Sequence, residues 1–362
     1  MFKTRTVQIG NLYLGGGNPV RVQTMLNTDT LDVEASFRQA KECIAAGAEL
    51  IRLSTQTVEH VHALNELRKE LAKAGIEIPL IADVHFSSAV ALEALKYADK
   101  VRINPGNFPQ KDLEKFIETA KENKKAIRIG VNYGSLSDEI LKQYGEAEEA
   151  VVAATLDYLR FLKGRDFENL IVAIKSSSPI KTIKTNKLFI QKMVEEKFDY
   201  PLHLGVTEAG SGDEGRAKTA LGIGTLLAEG IGDTVRVSLT EDPVNEVKFA
   251  YELLQASGRR ITKTEFVSCP SCGRTLFDIQ KVVSELKECL ADLRGLKIAV
   301  MGCVVNGLGE ARDADFAYVG GKPGMVSLYV KGELVEKDVP EEGATEKLLE
   351  IINLKLKMKN LK

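Results

Sequence analysis

The chain has 362 residues, 44% hydrophobic and 28% charged, enough to bury a large core and too apolar for a disordered protein. Its 49 Lys and Arg against 51 Asp and Glu leave a net charge of -2, which excludes a global basic footprint for nucleic acid or an anionic membrane. No apolar run approaches the roughly 18–20 residues of a membrane span, and the five cysteines, an odd number, do not make a disulfide framework. The polar start Met1-Phe2-Lys3-Thr4-Arg5 does not read as a signal peptide, so a reducing cytoplasm is the expected compartment.

In chain order, Gly15-Gly16-Gly17-Asn18-Pro19 and residues 8–14 read as a hairpin plugging the bottom of a barrel. Eight short Ile-, Val- and Leu-rich segments then read as its buried parallel strands: 20–25, 50–54, 80–84, 100–103, 126–131, 170–175, 202–206 and 234–239. Helical patterns alternate with them. They run over 33–46 and 58–74, closed by Gly47 and Gly75, then 88–97, 111–123 and 146–162, then 183–197, 215–228 and 244–256. Eight strand–helix units with right-handed crossovers predict an α/β fold, a TIM (β/α)8 barrel. An open dinucleotide-binding sheet would place its glycine fingerprint in the first turn.

Barrel chemistry sits at the C-terminal strand ends. Those ends carry Arg52, then Asp83 and His85, Arg102 and Asn104, Arg128 and Asn132, Lys175, Thr207 and Glu208, and finally Arg236 and Ser238. A single strand arginine is usually a salt-bridged structural group. Five of eight strands bringing a cation to one rim is a different case, because unpaired buried cations need an anion. Guanidinium forks suit phosphate oxygens, so the rim predicts a phosphate or diphosphate ligand. The run from Gly210 to Gly215 matches G-x-G-x-x-G in the seventh unit and is expected to form a backbone anion cup at a helix start. His60 and His62 read as surface residues, His203 as a core or barrel-lining group, and Cys43 and Cys289 as small core hydrophobes.

Ser257-Gly258-Arg259-Arg260 reads as a linker, giving domains 1–258 and 259–362. The second is expected to be a small α+β domain. Its strands fall at 264–268, 297–301, 316–319, 325–330 and 333–339, and its helices at 275–291 and 344–357. It holds Cys269-Pro270-Ser271-Cys272-Gly273-Arg274 and then Gly302-Cys303-Val304-Val305-Asn306-Gly307-Leu308-Gly309-Glu310, read as a Gly-rich loop. Two thiols at C-x-x-C spacing, a third thiol and one carboxylate make four candidate ligands. Zinc with three Cys and one Glu is possible. A [4Fe–4S] cluster with one iron open to chemistry fits this donor set better.

These two motifs, with Ala82-Asp83-Val84-His85-Phe86, Val101-Arg102-Ile103-Asn104-Pro105-Gly106-Asn107 and Asp233-Thr234-Val235-Arg236-Val237-Ser238-Leu239, span essentially the whole chain. Together they resemble the 4-hydroxy-3-methylbut-2-enyl diphosphate synthase family of the methylerythritol phosphate pathway, in its bacterial two-domain form. The resemblance implies a TIM barrel followed by a smaller α+β iron–sulfur domain. It also implies reductive ring-opening of 2-C-methyl-D-erythritol 2,4-cyclodiphosphate, with two electrons from flavodoxin or ferredoxin. It assigns Cys269, Cys272, Cys303 and Glu310 to the cluster, with Glu310 the exchangeable ligand. Arg52, His85, Arg102, Arg128, Lys175, Arg236 and Ser238 would hold the diphosphate, with Asn132 near the substrate carbons. Glu208 and Asp83 would be placed for proton transfer. The resemblance further implies a head-to-tail homodimer whose active site is shared between chains. The alternative is a non-redox phosphate-substrate barrel enzyme with a structural zinc domain, which leaves Glu310 without a role. A zinc ribbon on nucleic acid is disfavoured, since Glu285, Glu288, Asp292, Asp313, Asp315 and Glu341 offset the domain's basic residues.

Overall fold

The computed structural model describes residues 2–131, 136, 138–145, 148–291 and 293–360. The chain divides into two compact units, one ending at Arg260 and the other beginning at Ile261.

The first unit opens with a hairpin, β1 (Val7–Ile9) and β2 (Leu12–Leu14). The barrel strands come next: β3 (Arg21–Met25), β4 (Leu50–Ser54), β5 (Leu80–Asp83), β6 (Lys100–Ile103), β7 (Ala126–Val131), β8 (Leu170–Ile174), β9 (His203–Leu204) and β10 (Thr234–Val235). All pair in parallel in the order β8-β7-β6-β5-β4-β3-β10-β9, and a bridge from Val172 to Leu202 joins the two ends. The helices between them are α1 (Val33–Ala45), α2 (Val58–Lys73), α3 (Ser88–Tyr97), α4 (Gln110–Glu122), α5 (Asp138–Tyr144), α6 (Glu148–Lys163), α7 (Pro179–Glu195), α8 (Gly212–Thr219), α9 (Thr225–Ala228) and α10 (Pro243–Ala256). Local chemistry sets their starts. Asp32, Ser87, Ser178 and Asp242 accept from the first-turn amides of α1, α3, α7 and α10. Pro179 at the first position brings α7 four residues earlier than its apolar periodicity suggests. A π segment, Ala220–Gly224, separates α8 from α9, and there a Cβ on Gly222 would lie 2.4 Å from Val206.

Alternation along each strand decides what fills the barrel. Outward residues such as Val22, Ile51, Leu53, Ala82, Val101, Ile127 and Val172 form one core with the helices. Inward residues fall in layers drawn from alternate strands. The strand registers put Leu50, Lys100, Ile171 and Thr234 lowest, then Gln23, Ile81, Arg128 and His203, then Arg52, Arg102, Ala173 and Arg236. Met25, Asp83, Gly130 and Gly205 come next. The floor is mostly apolar, with Leu50, Ile81, Ala126 and Ile171 packed on Val7, Ile9 and Leu14 of the hairpin, and Lys100 and Thr234 are its buried polar members. Above it the lining becomes charged, where a barrel ordinarily continues with branched aliphatics.

The second unit is a five-stranded sheet in sequential order: β11 (Glu265–Ser268), β12 (Lys297–Met301), β13 (Phe316–Lys322), β14 (Met325–Val330) and β15 (Glu333–Pro340). The first three strands are parallel and the last pairings antiparallel. The helices are α11 (Ile279–Leu290), α12 (Val304–Asp313) and α13 (Ala344–Asn360). Ile298, Val300, Phe316 and Tyr318 face a core shared with α11 and α13. The opposite face, Ala299, Met301, Ala317 and Val319, packs on Ala311 of α12.

Three expectations change here. Residues 302–310 are expected as a Gly-rich loop, but from Val304 the chain forms a helix that runs to Asp313; a Cβ on Gly307 would lie 2.4 Å from Val319, so that glycine permits close contact with the sheet. The helix expected from residue 275 starts at Ile279, because Asp278 caps it through the Lys281 amide. Cys289 is exposed rather than core, since the buried stripe of α11 is Ile279, Val282, Leu286 and Leu290. Cys43 is buried, and burial pushes its thiol up to about 12. Among the described residues no helix is long and apolar enough to cross a membrane.

Leu14 is fully buried in the floor. Leu14→Ala should destabilise the barrel by about 2–5 kcal/mol, read as a lower urea midpoint at unchanged slope. A loss under about 0.5 kcal/mol, the size of an ordinary surface change, would show that the hairpin is not a structural plug.

Candidate active site

The charged layers gather at the C-terminal ends of the strands. Arg52 donates to Asp83 Oδ2 at 2.5 Å and Arg102 to Asp83 Oδ1 at 3.2 Å. Arg102 Nη1 also contacts His85 Nε2, and His85 lies 3.6 Å from the second Asp83 oxygen. Arg236 donates to Ser238 Oγ at 2.7 Å and to Glu246 Oε1 at 3.2 Å. Glu246 also accepts from the Leu239 amide and the Thr24 hydroxyl. Arg128 is 2% exposed, and its Nε and Nη1 have no partner. Nε of Arg52, Arg102 and Arg236 is likewise unpartnered. Two glycines make room for this crowd. A Cβ on Gly205 would stand 2.5 Å from Lys175 Nζ, and one on Gly130 would stand 3.4 Å from Arg102 Nε.

Burial dominates the electrostatics. It pushes the Lys175 amine well below the usual lysine range, helped by Arg128, Arg52, Arg236 and Arg102. It raises Asp83 too, but Arg52, His85, Arg102 and Arg128 outweigh it and hold that carboxyl well below the usual range. Burial raises Glu246, opposed by Arg236. Burial also pushes the Arg128 guanidinium well below the usual arginine range, joined by repulsion from Arg52 and Arg102 and opposed by Asp83. Four guanidiniums and a lysine thus face two carboxylates. Such a set is stable only around an anion.

In the second unit, β11 and β12 run parallel and adjacent, so Cys269 and Cys303 leave the same end of the sheet. The Gly302 amide points at Cys269 Sγ, 3.3 Å away, and Cys303 is the N-cap of α12. Cys272 lies on an exposed turn after Ser271, whose φ is 58°. The Arg274 amide lowers the Cys272 thiol, with help from the Arg274 charge. Glu310, seven residues after Cys303, is two turns along α12 on the same side, about 10 Å on by helical rise. Among the described residues no three acidic, His or Cys side chains are close enough to share one ion. The donor set itself, three partly or fully exposed thiols outside the core and a carboxylate, suits a cluster that spaces its ligands more widely than an ion does.

Comparison with known proteins places both units. The family described as the GcpE TIM-barrel domain matches residues 4–251, and the GcpE protein C-terminal domain matches residues 265–354. The chain belongs to the GcpE family. This GcpE chain is 44% identical to the 4-hydroxy-3-methylbut-2-en-1-yl diphosphate synthase (ferredoxin) of Prochlorococcus marinus, over 97% of its own length and 92% of the relative. It is equally similar to the enzyme so named from Thermosynechococcus vestitus, over 97% and 93%. Among solved structures it is similar to N-acetylneuraminic acid synthetase from Leptospira borgpetersenii, at 15% identity over 71% of this chain and 89% of that one, TM-score 0.47.

The GcpE barrel brings Arg52, Asp83, His85, Arg102, Arg128, Lys175, Arg236 and Ser238 into one mouth. Glu208 is exposed, with φ 54°, in the loop that the Thr207 amide ties to Ser176 O. Asn132 lies outside the described residues. Asp83 accepts from Arg52 and Arg102, and these cations hold its carboxyl well below the usual range while it fixes their positions. The expected anion cup at 210–215 is filled by the protein itself: the Gly212 amide donates to Glu241, which Arg216 grips with both Nη atoms. Asn104 caps the next turn through the Gly106 amide. Sequence reasoning missed Glu246, although a carboxylate one turn before Ala250 on the apolar stripe of α10 was a visible signal. It also missed Lys100, a cation in the first half of a barrel strand.

Because Asp83 is depressed, its stabilising effect is complete above its unfolded value of about 3.9 and is lost only as pH falls through its lower folded value. Asp83→Asn should cost about 3–5 kcal/mol in urea denaturation, constant from neutral pH down to about pH 4 and shrinking below that. A difference already fading near pH 6 would contradict the clamp.

Proposed function

We propose that this chain catalyses the reductive ring-opening and dehydration of 2-C-methyl-D-erythritol 2,4-cyclodiphosphate to 4-hydroxy-3-methylbut-2-enyl diphosphate, a step of isoprenoid precursor biosynthesis, in the cytoplasm. The observation that carries it is the surplus of buried guanidiniums at the barrel mouth, which calls for a compact, multiply charged anion. The relatives' name supplies the diphosphate and points to ferredoxin as electron donor.

In this reading Arg52, Arg102, Arg128, Arg236, Lys175, His85 and Ser238 hold the two phosphates, and Asp83 and Glu246 align the guanidiniums. Fixed donors of this kind need no reorganisation as charge shifts toward the phosphate during ring opening. Glu208, exposed on a left-handed backbone, would deliver a proton to the departing hydroxyl, and Asn132, outside the described residues, is proposed to act near the substrate carbons. Cys269, Cys272, Cys303 and Glu310 would hold a [4Fe–4S] cluster. When bound, such a cluster would supply electrons and a Lewis-acidic iron. The Gly302 amide directed at Cys269 is the kind of N–H···S bond that steadies such a thiolate.

We further propose a head-to-tail homodimer in which one chain's cluster unit serves its partner's barrel. Arg260 closes the barrel unit at its strand-start end, bonded to Val20 O and Glu49. The phosphate-binding residues stand at the opposite, strand-end side.

Protein purified without oxygen should contain about four iron and four sulfide per chain, and Glu310→Ala should keep the iron while losing most turnover. One zinc and no sulfide would favour the non-redox alternative. For the dimer, inactive Cys269→Ser and Arg236→Ala chains, mixed and reassembled, should recover up to about a quarter of wild-type activity if half the dimers are mixed and each has one intact site. No recovery would show that each chain works alone.

A further inference from the structure

We propose that Gly222, in the middle of the π turn Ala220–Gly224, is a positioning residue for Glu208 and acts on it through Val206. The inference rests on the reading above that Glu208 delivers a proton to the departing hydroxyl. Glu208 is exposed, and among the described residues no hydrogen bond or ion pair holds its carboxylate. Its aim is therefore set by the backbone that carries it. That backbone is left-handed at Glu208, with φ 54°, a conformation a non-glycine residue keeps only where its surroundings enforce it.

The enforcing contacts lie on both sides of it. After Glu208, Ala209 is fully buried, and Gly210 O accepts from the Thr240 amide at 2.9 Å. A Cβ on Gly215 would lie 2.8 Å from that same oxygen, so α8 rests directly on the loop. Before Glu208, the Thr207 amide donates to Ser176 O at 3.1 Å, and Val206 is fully buried. Val206 is β-branched and stiff, so it transmits displacement instead of absorbing it. What it meets is the π turn. A Cβ on Gly222 would lie 2.4 Å from Val206 Cγ2, whereas the same atom would stand at an ordinary 3.5 Å from Pro179. An added methyl group would thus press on Val206, two residues from Glu208. The turn is kept at a cost, since the buried Thr219 hydroxyl at its start has no partner. Single π turns inside helices occur often at functional sites, and this one touches the chain where it leaves β9 for Glu208.

The test uses the full chain, anaerobic and with its cluster, turning over the cyclic diphosphate with reduced ferredoxin. Gly222→Ala overfills the contact and Val206→Ala empties it. Each should lower kcat about tenfold while KM and the affinity for inorganic pyrophosphate stay unchanged. The two changes together should recover most of the wild-type kcat. Glu208→Gln should lower kcat about a hundredfold or more. In that chain Gly222→Ala should cost no more than about twofold further, because the group it positions is already gone. If Gly222→Ala does not fold, Val206→Ala in the wild-type and Glu208→Gln chains makes the same comparison. An unchanged kcat in the single variants, no recovery in the pair, or a comparable further loss in the Glu208→Gln chain overturns the inference and leaves Glu208 its role. Full activity of Glu208→Gln overturns the proton-donor reading, and the inference with it.

Discussion

A guanidinium removed from water must find an anion, and the interior of this barrel holds more guanidiniums than carboxylates. Burying a lone cation costs several kcal/mol even after relaxation, yet Arg52, Arg102 and Arg128 are each 9% exposed or less and keep unpartnered nitrogens. The fold therefore gives up stability for a binding site. What makes this tolerable is the division of the barrel into a mostly apolar floor, sealed by the hairpin, and a charged upper half. Asp83 and Glu246 neutralise part of the charge and fix its geometry, so the guanidiniums are held in place before any anion arrives.

Glycine placement belongs to the same design. Gly130 and Gly205 occupy inward positions, where a Cβ at Gly205 would press on Lys175 and on Arg236 O and one at Gly130 would touch Arg102. In the second unit Gly307 lets the helix behind Cys303 lie directly on the sheet, and Gly302 carries the amide that faces Cys269. In both units a missing side chain at one position sets the geometry of a functional group at another.

Much of this was legible in the residues. Eight alternating units predicted the barrel, and the cations at the strand ends predicted its mouth, because strand periodicity fixes which side chains share a face. What escaped were features that depend on closure. Inward layers run diagonally across strands, so the stacking of Lys100 beneath His203 and Arg128 cannot be read from any one segment. Glu246 was hidden by a helix that looked amphipathic apart from one residue. The helix over 304–313 was obscured by Gly307 and Gly309, whose low intrinsic propensity is offset by packing of Ala311 and Gly307 on the sheet. Glu241 filling the turn at Gly212 is a contact between residues 29 apart, which a local motif cannot foresee.

Electron stoichiometry is the most direct test of a reductive ring-opening. Chemically reduced ferredoxin and the cyclic diphosphate should be mixed with the anaerobic protein, and ferredoxin oxidation followed beside product formation. Two ferredoxins should be oxidised for each linear diphosphate formed, with no conversion of the cyclic diphosphate without reductant. Conversion of the cyclic compound at the same rate without ferredoxin would contradict this mechanism, leaving a phosphate-binding barrel with non-redox chemistry.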